Sequence, residues 1–157
     1  MEIMLTGIGK TGMSFIEDGL KEYESRLKRY VPFRMEWIKD VKGAGRIPEE
    51  RQKELEGEEF VKNINPGDYV AILDEKGKEF TSRQFADWLQ KRMVAGGKRL
   101  LFLIGGPYGF SDAIYERADE KLSLSKMTFN HEMVRLFFIE QLYRSMTILR
   151  NEPYHHD

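Results

Sequence analysis

Three groups of residues have the types and spacing to do chemistry, and all lie beyond residue 100. The first is Gly105-Gly106-Pro107-Tyr108-Gly109, directly after the apolar run Leu100-Leu101-Phe102-Leu103-Ile104. Such a run reads as a strand buried on both faces. Glycines at its end let the backbone approach a ligand closely, and ligands of open α/β sheets sit at the carboxyl ends of strands. The second group, Ser123-Leu124-Ser125-Lys126-Met127-Thr128-Phe129-Asn130-His131, follows one helix later. Together the two loops point to a pocket for a nucleotide-like ligand. The third group is Arg135, Arg144 and the tail Tyr154-His155-His156. Tyr and His side chains are suited to stacking on bases and binding phosphate; a frayed terminus is the other reading of so short a tail.

The same residues argue against some familiar ligands. The glycine loop is not GxGxxG with its distal acidic residue, and no Gly-Lys-Ser/Thr follows it, so NAD and ATP are both disfavoured. The chain has no cysteine, which removes disulfide and thiolate chemistry. Its three histidines show no metal-ligand spacing, so no metal is expected. A formal net charge of −1 provides no general attraction to nucleic acid; any RNA contact must come from a local patch. With no signal-like leader and no apolar run of about 20 residues, a cytoplasmic protein without membrane contact is expected. The 157 residues suit one domain, 1–157.

The elements that would position these groups follow from hydrophobic spacing. Strands are expected at Ile3–Ile8, Arg34–Ile38, Tyr69–Leu73, Leu100–Ile104 and Leu122–Leu124. Helices are expected over Ser14–Arg29, where Ile16, Leu20, Tyr23 and Leu27 share a face, and over Pro48–Asn63, with Leu55, Phe60 and Val61 as anchors. Thr81 and Gln84 form a capping box for a helix through Phe85, Trp88, Leu89 and Met93. A short helix over Ser111–Ala118 follows. Lys39–Arg46 reads as a mobile loop, and Asp74–Lys78 as a turn. Strict alternation of strand and helix predicts an α/β fold with a mostly parallel sheet.

The last helix, His131–Leu149, with Asn130 as its candidate cap, is apolar nearly all round. Val134, Phe138, Leu142, Met146 and Leu149 cover one side, and Leu136, Ile139 and Tyr143 the other. Only Glu140, Arg144 and Thr147 form a polar stripe. One sheet should not cover both sides, so a second subunit, most simply in a two-fold homodimer, is expected. Arg135 lies in the apolar face and must meet a carboxylate, a backbone carbonyl or a ligand anion. A buried ion pair with Glu140 of the partner subunit is one outcome. Glu140 and Arg144, one turn apart, form a possible surface pair.

Four segments in this order carry a resemblance. They are Leu103-Ile104-Gly105-Gly106-Pro107-x-Gly109, then Leu122 through Arg135, then Glu140-Gln141-Leu142-Tyr143-Arg144, then Glu152-Pro153-Tyr154-His155. The chain resembles, over its whole length, the RlmH family of bacterial 23S rRNA pseudouridine-N3 methyltransferases in the SPOUT superfamily. Tyr108 and Asn130 depart from the family's usual residues, Asn130 standing where a proline is common. The resemblance implies a C-terminal trefoil knot, a homodimer, and S-adenosyl-L-methionine held by Leu73, Gly105, Gly106 and Leu124, Ser125, Lys126, Met127, Thr128 and Phe129. It implies as substrate a pseudouridine of 23S rRNA in the assembled 70S ribosome. Arg135 and Arg144 would hold RNA or the developing anion, Tyr154 would orient the base, and His155 or a bound water would assist proton loss. Two alternatives stay open: a SPOUT methyltransferase of another RNA such as tRNA, and a non-catalytic ribosome-binding factor.

Overall fold

Each strand of a βα repeat must return through a crossover, so its neighbours run parallel. In the computed structural model, which describes residues 1–157, this rule builds the whole molecule. The elements are β1 (Glu2–Ile8), α1 (Ser14–Leu27), β2 (Phe33–Ile38), α2 (Glu49–Lys62), β3 (Tyr69–Glu79), α3 (Ser82–Ala95), β4 (Arg99–Ile104), α4 (Asp112–Arg117), β5 (Glu120–Ser123) and α5 (Met133–Leu149). The sheet order is β2-β1-β4-β3-β5, and every pairing is parallel. The capping box of Thr81 and Gln84 is formed as expected.

Period-two alternation sends the strand residues to two cores. Ile3, Leu5, Leu100, Phe102 and Ile104 face the larger core with α1, α3 and α5. Met4, Leu101 and Leu103 face the smaller one with Phe60 of α2 and Ile114 of α4. A buried ion pair, Arg99 with Asp68, ties the amino end of β4 to the turn before β3 at 2.5 Å.

Several expectations are corrected. The expected turn at Asp74–Lys78 is instead an irregular stretch of β3. Leu122 pairs with Leu73 before a register shift and with Lys78 after it. Residues 74–77 bulge out without partners, and the ladder resumes at Lys78. Gly77 sits at the tightest point, where a Cβ would lie 2.7 Å from the Leu122 amide nitrogen. The loop Lys39–Arg46 is held in turns, and its Gly45 N–H donates to Oε1 of Gln52 at 2.8 Å. On α2, Val61 is exposed and the buried face is Gln52, Glu56, Gly57 and Phe60.

Helix α5 is covered by its own chain. It lies on the sheet, packed between α1 and α3, and Thr147, assigned to the polar stripe, is buried with its hydroxyl donating to the Arg144 carbonyl. Two flanking helices supply the burial that a second subunit was invoked to explain. Phe137 remains exposed. No helix is long and apolar enough to cross a membrane.

Candidate active site

The two loops singled out by their glycines and small polar residues do converge. Leu73 at the break in β3, the ends of β4 and β5 at Ile104 and Leu122, the glycine loop, and the segment from Leu124 to Phe129 enclose a cavity of about 690 Å³. Leu73, Gly105, Gly106, Leu124, Ser125, Met127, Thr128 and Phe129 all line it. Lys126 does not. Its side chain is 87% exposed and reaches Glu79 only at 4.0 Å, because the turn places it outward while Ser125 bonds the Met127 amide.

The glycine loop is braced from below. Gly106 accepts from the Gly109 N–H at 3.1 Å, closing the turn. Under Gly106 lies the carboxyl group of Glu56, 2% exposed, so close that a Cβ at 106 would fall 2.5 Å from its Oε1. Gln52 donates to Glu56 Oε2 at 3.2 Å. Burial pushes the Glu56 carboxyl above the usual range. Glu56 was missed in the sequence because an acid in a highly charged helix reads as solvated; its only signal was the neighbouring Gly57, which lets α2 approach Ser111.

The cavity also takes in Asp74, Tyr115, His131 and Val134, which the sequence reading did not assign to the cofactor. Burial, with a hydrogen bond to Asp74, pushes the Tyr115 phenol up to about 12. At the entry to α5, the Asn130 side chain accepts from the Glu132 N–H at 2.9 Å. A proline at 130 has no side-chain acceptor to do this. Glu132 in turn accepts from the Gly12 and Met13 amides. Those amides hold its carboxyl below the usual range, Met13 first.

Arg135 is buried, and its partners are two backbone carbonyls and one hydroxyl. One terminal nitrogen donates to the Ile8 and Gly9 carbonyls at 2.7 and 2.9 Å, and the other to the Thr11 hydroxyl at 2.9 Å. Its guanidinium lies 4.0 Å from the Trp37 ring centroid. Of the alternatives open in the sequence, carbonyls win, and Glu140 of a partner is not needed. Arg135 therefore fixes the end of β1 in the form seen here.

Arg144, Tyr154 and His155 form one cluster, centred on Glu140. Arg144 donates to Glu140 Oε1 at 2.5 Å and to His155 Nδ1 at 3.1 Å. Tyr154 donates to the same Glu140 oxygen at 2.9 Å and packs edge-on to Tyr143. Burial, with bonds to Tyr23 and Glu140, raises the Tyr154 phenol far above its ordinary value. The tail is docked, not frayed. Arginine can only donate, so His155 Nδ1 accepts and its Nε2–H donates to Asp157 at 2.5 Å. His155 has no free lone pair in this arrangement, which argues against it as the resident base. The cluster also lies away from its own cavity: Arg144 is ten residues, about 15 Å, along α5 from Val134 at the cavity wall.

An open parallel sheet with a cavity built by the loops at its carboxyl edge defines an α/β protein with a ligand-sized cleft in the usual place. A family model described as "Predicted SPOUT methyltransferase" matches residues 1–155, and the chain belongs to the SPOUT methyltransferase family. It is similar to proteins named ribosomal RNA large subunit methyltransferase H. That of Parabacteroides distasonis is 57% identical over 157 residues, covering 100% of both chains. That of Christiangramia forsetii is 54% identical over 156 residues, covering 99% of both. That of Porphyromonas gingivalis is 47% identical over 157 residues, again covering 100% of both.

Proposed function

We propose that this protein transfers a methyl group from S-adenosyl-L-methionine to N3 of a pseudouridine in 23S rRNA, acting as a homodimer on the assembled ribosome. The observation that carries the reading is the cavity of about 690 Å³ enclosed by the glycine loop and the segment from Leu124 to Phe129. Full-length relatives with rRNA methyltransferase names support the substrate class. The cavity suits the cofactor: Leu73, Ile104, Leu124, Met127 and Phe129 offer an apolar bed for adenine, while Asp74, Ser125, Thr128 and the glycine-loop backbone offer polar partners. We also propose that residues 120–135 belong to the knotted threading that the family resemblance implies.

S-adenosylmethionine supplies an electrophilic methyl on a sulfonium. The protein then has two tasks, alignment of the base and help with loss of its imide proton. Bracing of Gly106 by Glu56 and of β1 by Arg135 serves alignment. Arg144, about 15 Å along α5 from the cavity of its own chain, and Tyr154, which shares its cluster, act on the base bound by a two-fold partner; the apolar groups Leu124, Met127 and Phe137 exposed near the cavity suit such an interface. Arg144 stabilises the imide anion left when a water takes the N3 proton, and Tyr154 orients the ring. At net charge −1 free RNA is bound weakly, so the shape of the whole particle provides recognition.

The test mixes two inactive variants. Arg144→Ala lacks the cluster, and Gly106→Trp blocks the cavity. If each site takes its cluster from the partner, co-expressed variants form hybrids with one intact site and recover up to about a quarter of wild-type transfer. Lack of transfer from the mixture, with dimers shown by light scattering, counts against the shared site. A monomer with full activity counts against the dimer.

A further inference from the structure

Across the glycine loop from the cofactor cavity lies a second cavity, of about 290 Å³. Its place in the topology is informative. β1 and β4 are neighbours, but the chain leaves β1 toward β2 and leaves β4 toward β5. Their carboxyl ends therefore flank the point where connections part in opposite directions, which is where open α/β sheets hold ligands. Ile8, Gly9 and Lys10 form one wall and the glycine loop the other, and His131 borders both cavities.

Two of the charges on this cavity, Asp40 and Lys10, are not used by the fold. The Asp40 carboxylate packs against Gly9, where a Cβ would lie 3.0 Å from its Oδ1, yet Asp40 is exposed and takes part in no hydrogen bond or ion pair of the chain. Lys10 is exposed and unpaired in the same way. Arg135, 2% exposed, lines the cavity with its Nε unpartnered. A ligand with both donors and acceptors fits this set, and an anion alone would leave Asp40 opposed to it.

We propose that this second cavity receives the target base and that Asp40 selects pseudouridine over uridine; the inference rests on the methylation of a pseudouridine argued above. Pseudouridine is joined to ribose through carbon, so its N1 carries a hydrogen that uridine lacks. A carboxylate accepts that hydrogen bond, and finds no donor at uridine N1. N1 and N3 flank the C2 carbonyl, so a base held at N1 by Asp40 keeps N3 free to meet the cofactor's methyl directly where the two cavities adjoin, at the glycine loop and His131. Lys10 meets a ring carbonyl or the adjoining phosphate. A hydrogen bond to a charged acceptor at an open site corresponds to about a tenfold preference.

The experiment compares methyl transfer to whole ribosomes carrying pseudouridine at the target position with transfer to ribosomes carrying uridine there. It uses the wild type, Asp40→Ala and Asp40→Asn, with S-adenosylmethionine affinity of each measured by calorimetry to report folding. The wild type is expected to prefer pseudouridine about tenfold in kcat/KM. In Asp40→Ala the ratio falls to near one, and Asp40→Asn, which keeps an acceptor oxygen, retains part of it. If the alanine variant no longer binds the cofactor, the asparagine variant carries the comparison. A wild type without preference, an unchanged ratio in the variants, or equal losses on both ribosomes overturns the assignment of Asp40 while leaving the methylation reading in place. No transfer by the wild type to either ribosome overturns the methylation reading, and this inference with it.

Discussion

Gly106 and Glu56 should be energetically coupled, and the coupling can be worked from the geometry. Alanine at 106 puts a Cβ 2.5 and 2.6 Å from the two oxygens of a carboxyl that is 2% exposed. Ordinary contact begins near 3.5 Å, so the loop or the carboxyl must move by about 1 Å. Glu56 has no open space to enter, being packed under the loop and bonded to Gln52. Overpacking of this kind costs about 1–3 kcal/mol. In a chain of this length that lowers Tm by about 2–4 °C for each kcal/mol. The displaced loop also lines the cofactor cavity, so S-adenosylmethionine affinity falls about tenfold or more. Truncating the acid removes the obstacle. Glu56→Ala is destabilising alone, but Gly106→Ala added to it should be nearly free, giving a coupling of about 1 kcal/mol or more. The assay is urea unfolding of the wild type, both single variants and the double variant, with calorimetric cofactor titrations of each. Costs that add within about 0.5 kcal/mol would refute the bracing argument.

Other expectations follow from the same geometry. Arg135→Met strands the Ile8 and Gly9 carbonyls and should cost about 3 kcal/mol in urea unfolding; Arg135→Lys keeps the charge but not the three-way fork, and falls between. A loss below about 1 kcal/mol for the methionine variant would mean that the end of β1 does not depend on Arg135. Glu132→Gln should cost about 1–3 kcal/mol at neutral pH. Because the folded carboxyl titrates below its unfolded value, its stabilisation is present above about pH 4.3 and is lost as pH falls through the lower folded value. The wild type should therefore lose more stability than Glu132→Gln on acidification over that window, and parallel curves would contradict the assignment. Truncation after Pro153 should spare cofactor binding in a thermal-shift assay and abolish methyl transfer; surviving transfer would remove the tail from the chemistry.

Much of the fold was legible because local signals agreed with the tertiary outcome. Leu100–Ile104 is apolar at every position and became the strand buried on both faces, and Thr81 with Gln84 formed the cap their spacing announced. The glycine loop and the Ser123–His131 segment were readable as one pocket because strand ends and topology bring such loops together. What failed did so for tertiary reasons. Asp74-Glu75-Lys76 carries the polarity of a turn, yet its backbone stays in the β3 segment because β5 pairs on either side of the bulge. The all-round apolar pattern of α5 was read as needing a partner's cover, but α1 and α3 of the same chain account for it, so the pattern by itself carries no dimer. Lys126 lies in the right segment and points out of the cavity, since one residue in a tight turn decides the direction of its side chain. Glu56 and Asp40 gave no periodic or motif signal; their importance comes from what the fold sets beside them. Arg144, Tyr154 and His155 were read with Arg135 as groups close to the pocket; the structure clusters the three but sets them away from their own cavity, a distance that depends on the course of α5.

The most direct test of the central claim is transfer of labelled methyl from S-adenosylmethionine to unmethylated whole ribosomes, separate subunits and bare rRNA, with the modified nucleoside mapped by mass spectrometry. The account predicts N3-methylpseudouridine, formed with whole ribosomes and not with bare RNA. Cofactor binding without transfer to any of the three would contradict it, leaving the pocket and overturning the substrate.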